Sequence, residues 1–469
     1  MRLLGPTRRV TLLAACCALL LAPACGGSKS RTPPVLLVGV DGFEWDVALP
    51  LLREGRMPHL AALMERGTFG LLETIQPTIS PVIWTSIATG KEPAQHGILD
   101  FVKPRAAADA PLELFTNADR RAKAVWNVAS DAGRRVGVVG WWMTFPVEPV
   151  HGAMVAQTNT VDQVDTRGGR HAWKGTLLRG AHGQLHPPEL EPRVWEIIDR
   201  VEAGLPALER EIFGERTAPL SELARRLWEN CRWAFRADAV YAEVAEQLLA
   251  EDSGWDLFAV YLGGPDVVGH RFWRWRDPEL YADPPPAGEV ADLGATIDEY
   301  YVYVDGVLGR LVAAAPAGAR VLVVADHGMR PVNTGRRFDA GSPTGGVNSA
   351  HHLDAPPGIV VAAGPGIARR SGGPGPRDLE RADLPVLAGV LDLAPSVLAL
   401  LDLPAGADMP GLVAPGLVDA AWLAEHPPRR VRSHDTAAWR RAHAALRAED
   451  PGEAERIRQL RNLGYVGGG

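Results

Sequence analysis

Apolar residues along the chain gather in a few short unbroken runs, separated by longer stretches in which they recur every three or four positions. Val35 to Val40 is such a run, and Arg135 to Val139, Leu257 to Leu262, Val321 to Ala325 and Ile359 to Ala363 resemble it. Runs of this length without alternation predict strands covered on both faces, of the kind found in parallel sheets. Met57 to Arg66 and Ile297 to Ala315 lie between them and carry helical spacing. Strands alternating with helices predict an α/β fold, doubly wound around a mainly parallel sheet. In such sheets chemistry collects just beyond the carboxyl ends of the strands.

From 158 to 250 the strand signal gives way to helical periodicity with charged faces, carried by Glu196, Arg200, Glu209, Arg225 and Glu229. This predicts a mainly helical insertion, a cap over the site. The core then occupies 34–157 and 251–418, and 419–469 forms a charged helical tail docked on its surface.

The first residues follow a different pattern. Arg8 and Arg9 precede an apolar run from Val10 to Leu21, followed by Ala22-Pro23-Ala24-Cys25. The arrangement reads as a signal peptide over 1–24, with Cys25 the acylated first residue of a lipoprotein and 25–33 a linker. Cleavage as an ordinary secreted protein, or retention as an uncleaved anchor, is the alternative. The expected location is therefore outside the cytoplasm, lipid-anchored to the membrane of a bacterial envelope. Cys16 and Cys17 fall in the apolar run, which leaves Cys231 as the single thiol of the mature chain and permits no internal disulfide. Such an exported fold relies on its core and on bound metal. Hydrophobic residues at 46% and charged residues at 22% fit a globular chain. The net charge of -7, without a long basic stretch, predicts no nucleic-acid-binding surface. Oligomeric state is not legible.

The candidate chemistry sits at the run ends. Val40 is followed by Asp41-Gly42, which by itself also fits a turn. Ser80-Pro81 opens a helical stretch ending at Gly90, with Ser80 expected as the N-cap. A hydroxyl there faces unpaired N–H groups suited to an anionic phosphoryl group, although a plain capping serine looks the same. Asp266 and His270, four apart after the Leu257 run, lie on one helical face and can reach one metal ion. Asp326-His327 leave the end of the Val321 run, and His351-His352 precede the Ile359 run. Three aspartates, three histidines and one hydroxyl at one sheet edge suffice for two metal sites. Mixed imidazole and carboxylate ligands suit zinc, with manganese next, and a pair of such ions can clamp the attacking and leaving oxygens.

The order Asp41, Ser80, Asp266, His270, Asp326-His327, His352, with the phrases Thr89-Gly90-Lys91-Glu92-Pro93 and Gln95-His96-Gly97-Ile98, resembles the alkaline-phosphatase superfamily. Within it the resemblance is to the type I phosphodiesterase/nucleotide pyrophosphatase group, over most of 34–418. The resemblance implies a phosphodiesterase with two divalent ions, acting on a phosphate ester through a phosphoserine. It implies that Asp41, Asp326 and His327 hold one ion beside Ser80, and that Asp266, His270 and His352 hold the other, with His351 as substitute. Ser80 matches the family's nucleophile by its spacing to Trp84 and Ser86, ahead of Thr78.

The chain departs from the family where substrates are chosen. Pro81-Val82 stand where alkaline phosphatases carry a phosphate-binding arginine, and Ile83 where nucleotide pyrophosphatases carry an asparagine. A diester is therefore favoured over a monoester, and Trp84 in place of the sulfatase arginine disfavours sulfate esters. The competing readings are a transferase passing its phosphoryl or phosphoglycerol group to an envelope acceptor, and a metal-binding surface lipoprotein without turnover.

Overall fold

The computed structural model describes residues 32–104, 113–157, 160–162, 173–177, 182–215, 220–332 and 348–446. The acylation expected at Cys25 and the end of the tail, 447–469, lie outside these residues.

Among the described residues one large sheet contains β1 (Val35–Val40), β2 (Gly67–Glu73), β3 (Val136–Val139), β4 (Gly152–Val155), β5 (Leu185–His186), β6 (Leu257–Leu262), β7 (Arg320–Val324), β8 (Gly358–Ala363) and β9 (Val386–Gly389). Their spatial order is β9-β2-β8-β7-β1-β6-β3-β4-β5. The centre, β7-β1-β6-β3-β4, is parallel, with Val35 opposite both Leu257 and Arg320.

Every residue of β1 is buried, because both faces are covered. Leu36, Val38 and Val40 enter one core with α1 (Trp45–Arg53), α2 (Pro58–Arg66), α5 (Glu191–Phe213), α6 (Glu222–Glu251), α7 (Gly264–Arg276) and α8 (Thr296–Ala314). Val35 and Leu37 point to the opposite core with α3 (Ser80–Thr89), α4 (Val125–Asp131) and α9 (Leu393–Leu400). Alternate residues of a strand face opposite ways, so one continuous apolar run supplies both layers. Each such Val or Leu contributes about 1.5–3 kcal/mol relative to exposure.

One strand differs from the parallel reading of its apolar run. β8 is antiparallel to both neighbours, β7 and β2. The apolar run specifies two-sided burial and is silent about direction. The reversal matters for the site: β8 begins at the sheet edge where β1, β6 and β7 end, so a residue preceding β8 arrives at that edge.

The 158–250 segment is not helical throughout. It begins with a short antiparallel pair, Thr160–Asp162 with Trp173–Thr176, and β5 then extends the sheet edge against β4. Its long helix α6 buries Leu227, Phe235, Val240, Tyr241 and Val244 in the same core as α7 and α8. In the tail, Ala420–Glu425 and Ala437–Ala444 are helical, and His443 is buried beside Glu148 at 3.1 Å.

Candidate metal centre

Asp41 emerges from β1 and is held by its backbone N–H, which donates to Leu262 O at 2.9 Å. Gly42 follows with φ +62°, and a Cβ there would stand 2.9 Å from Asp266 Cα. Glycine therefore lets the β1 tip lie against the first turn of α7. Asp326 and His327 leave β7 next door, while Asp266 and His270 lie one turn apart on α7. His352 arrives from the short strand Ala350–His351 that precedes β8.

The structure brings these six side chains into two buried groups, Asp41 with Asp326 and His327, and Asp266 with His270 and His352. Within each group the three possible ligand atoms all lie within 4.8 Å of one another. His327 Nε2 is 3.5 Å from Asp41 Oδ1 and 3.3 Å from Asp326 Oδ2. Asp266 Oδ1 is 3.4 Å from His270 Nε2 and 3.8 Å from His352 Nε2. The His327 and His352 rings stack at 4.1 Å and join the two groups. His351 is only half-buried, and its Nδ1 accepts the Leu353 N–H at 2.8 Å, so His352 is the histidine that meets the cluster.

The donor set fits cations. His270 Nδ1–H donates to Ala350 O at 2.9 Å and His327 Nδ1–H to Gly328 O at 3.0 Å. A carbonyl can only accept, so each ring carries a proton on Nδ1 and has Nε2 turned into the cluster, the nitrogen that offers a lone pair whenever the ring is neutral. Asp326 Oδ2 and His327 Nε2 are buried with no hydrogen-bond partner among the described residues. Burial, with the Asp266 charge behind it, raises Asp41 to about 7, and burial with the adjacent Asp41 raises Asp326 well above the carboxylate range. Burial would raise Asp266 too, but the neighbouring His270, His352 and His327 outweigh it and hold it low. Burial drops His327 to about 4. Buried carboxylates that resist ionising together, packed against imidazole rings, are the electrostatic signature of a site completed by positive charge.

Ser80 is buried with Oγ 3.5 Å from Asp41 Oδ1. It is the first residue of α3 and not its N-cap, which is Ile79. Val82 and Ile83 N–H both donate to Ile79 O, and Pro81 has none, so the helix end offers an anion little beyond the Ser80 N–H. With no capping duty, the Ser80 hydroxyl is left facing the Asp41 group. The Thr78 hydroxyl is committed to His352 O.

Several supporting residues have no local sequence signal. Tyr261 OH and Trp84 Nε1 both donate to Asp41 Oδ2, at 2.5 and 3.1 Å. Trp84 is the exception with a local signal, lying one helical turn after Ser80 at the spacing already noted. Glu44 Oε2 accepts the Met329 N–H at 2.9 Å and its backbone N–H donates to Tyr301 OH at 2.9 Å, tying the β1 loop to the loop after His327. Asp238 reaches the start of α7 from α6. His96, read as structural from the turn around it, is buried: its Nδ1 accepts the Ile98 N–H at 3.1 Å, and its Nε2 meets Ser86 Oγ at 3.0 Å.

The chain is 31% identical over 171 residues to 2,3-bisphosphoglycerate-independent phosphoglycerate mutase of Roseobacter denitrificans, covering 36% of this chain and 26% of that one. The mutase of Ruegeria pomeroyi is 35% identical over 171 residues, with the same coverage. The chain thus spans about a quarter of the length of the curated relatives it matches. Among solved structures, phosphonoacetate hydrolase of Sinorhizobium meliloti 1021 in complex with phosphonoformate is similar at 20% identity and TM-score 0.38, over 64% of this chain and 57% of that one. Murine ectonucleotide pyrophosphatase/phosphodiesterase 5 is similar at 14% identity and TM-score 0.41, over 79% and 95%. Residues 35–367, spanning β1 to the turn beyond β8 and therefore both acidic groups and Ser80, match the family described as type I phosphodiesterase / nucleotide pyrophosphatase. The chain belongs to that family.

Proposed function

We propose that the protein is a metal-dependent phosphoric ester hydrolase that cleaves diesters through a phosphoserine at Ser80, outside the cytoplasm. The observation that carries this reading is the Ser80 hydroxyl standing 3.5 Å from Asp41 Oδ1 at the margin of two adjacent acidic and imidazole groups. Asp41, Asp326 and His327 would hold one divalent ion, zinc or manganese, and Asp266, His270 and His352 the other. Such ions neutralise phosphoryl charge and acidify a coordinated hydroxyl. Ser80 Oγ attacks phosphorus, the P–O bond to the first alcohol breaks, and that alcohol leaves with a proton. Water then attacks the phosphoserine, releasing a phosphomonoester and restoring the Ser80 hydroxyl.

The diester preference rests on the residues that follow Ser80 in α3 and the turn after it. Val82 and Ile83 are buried in packing, and Lys91 Nζ is taken by Asp408 and Asp435 at 2.6 and 2.5 Å. None of these supplies the extra positive charge that a doubly charged monoester requires. Export and lipid attachment at Cys25 belong to the same proposal, supported by the Arg8-Arg9 and Val10 to Leu21 pattern; loss of palmitate labelling in Cys25→Ala tests them.

The test of the activity compares hydrolysis of an aryl phosphodiester, a monoester and a sulfate by zinc-loaded protein beginning at Gly26. The diester should be cleaved fastest, with activity lost to chelator and to Ser80→Ala. Equal turnover by Ser80→Ala rules out the nucleophile. A product joined to an added alcohol would assign the transferase reading instead.

A further inference from the structure

The helix that carries Asp266 and His270 begins without a cap of its own. Its N-cap is Gly263, its first residue Gly264, and its second, Pro265, has no N–H. The missing acceptor comes from a different part of the chain. Asp238, buried in the middle of α6, accepts the Gly263 N–H on Oδ1 at 2.8 Å and the Gly264 N–H on Oδ2 at 2.9 Å. Oδ2 also accepts the Tyr300 hydroxyl at 2.7 Å, from α8. The Gly-Gly pair is matched to this arrangement, since a Cβ on Gly264 would lie 2.0 Å from Tyr300 Oη.

We infer that Asp238 is a positioning residue for the Asp266/His270/His352 group, so that the 158–250 segment helps build the metal centre as well as flanking it. The inference rests on the metal reading of that group. A capping carboxylate fixes the first turn of a helix, and Asp266 lies in that turn. His270 follows one turn later on the same face, so a shift of the helix start moves both side chains relative to His352 on its separate strand. The Asp41/Asp326/His327 group takes no residue from α7, so the cap reaches it only indirectly, through the β1 tip that lies against that helix.

The two groups therefore give a site-selective test. Zinc-free protein is titrated with zinc against a chromophoric chelator, in the natural sequence, in Asp238→Asn, and in both with Asp266→Ala added. The natural sequence should show two zinc sites. Asp238→Asn should weaken one of them about 10- to 100-fold, the range for residues that orient metal ligands, and leave the other within about twofold. In the Asp266→Ala background the same substitution should change nothing further. Two unaltered sites in folded Asp238→Asn, or equal weakening of both, would overturn the inference. Fewer than two sites in the natural sequence would instead sink the metal reading itself. If Asp238→Asn does not fold, Asp238→Glu decides: it keeps the buried carboxylate but displaces it from the Gly263 and Gly264 N–H groups, and a selective loss at the same site supports the cap while no loss overturns it.

Discussion

The hydroxyl of Tyr261 donates to Oδ2 of Asp41 at 2.5 Å, and because Trp84 Nε1 donates to the same oxygen, Oδ1 is the atom left to face Ser80 and His327. A carboxylate gripped on one oxygen presents the other in a fixed direction, which is how an outer layer of residues orients a ligand. Tyr261→Phe keeps the edge-on packing against Trp84 and Trp142 while deleting the grip. Zinc affinity at the Asp41 group should fall about 10-fold, and the zinc-free fold should lose about 1 kcal/mol. Chelator competition and urea melts measure the two effects; an unchanged affinity would show that Trp84 alone sets the orientation.

Removing metal should hurt more as pH rises. Asp41 has a folded pKa of about 7 against an ordinary 3.8, and Asp326 is shifted in the same direction. With no cation, the fold holds protons there that the unfolded chain has released, so stability falls as pH climbs from about 4 to 7. The drop in melting temperature on adding chelator should therefore be larger at pH 8 than at pH 5. Equal drops at both would mean that the acidic group is not relieved by the ion.

His96 predicts the opposite slope. Burial, reinforced by the Arg120 charge, lowers it to about 3 from 6.5, so between those values the unfolded chain binds a proton that the fold refuses. Stability is lost as pH falls through this window, by up to about 1.4 kcal/mol per pH unit. His96→Gln can still accept from Ile98 and donate to Ser86, but it does not titrate. Its denaturation midpoint should vary less than that of the natural sequence between pH 7 and pH 4, and parallel curves would refute the assignment.

The same strand ends that carry the chemistry were the most legible part of the sequence. β1 and the Val321 to Ala325 run of β7 lead directly into Asp41 and Asp326-His327, β6 is followed four residues on by Asp266, and these side chains gather with His270 and His352 into two buried groups. What was hidden depends on distance along the chain. Tyr261 meets Asp41 across 220 residues and Glu44 meets Met329 across 285, and no local periodicity encodes such pairs. Strand direction was hidden for a related reason, since the composition of β8 fits either direction and only its pairing with β7 and β2 fixes it. Ser80 was misplaced by one position because Pro81 fits the second helical residue as well as the first.

Lys91 belongs to the architecture. Its ammonium is buried between Asp408 and Asp435, and Asp435 also accepts the Lys123 N–H at 2.7 Å. Lys91→Met would leave Asp435 buried with only more distant positive charges, Arg440 at 3.7 Å and Arg120. Breaking such a pair typically costs about 3–5 kcal/mol. Hydrogen exchange should show residues 430–446 loosened, with zinc affinity and turnover per folded molecule unchanged. A selective fall in turnover would instead place Lys91 at the substrate site.

The antiparallel course of β8 also bears on when the centre can exist. Because β8 starts at the edge where β1 and β7 finish, His352 joins residues translated far earlier; the Asp41 group has all its residues once His327 is made, and the Asp266 group only when the chain nears β8. A nascent chain can therefore present one group before the other, and not the assembled pair. On the metal reading proposed above, loading would be one of the last events of maturation, in whichever compartment the end of the sheet closes.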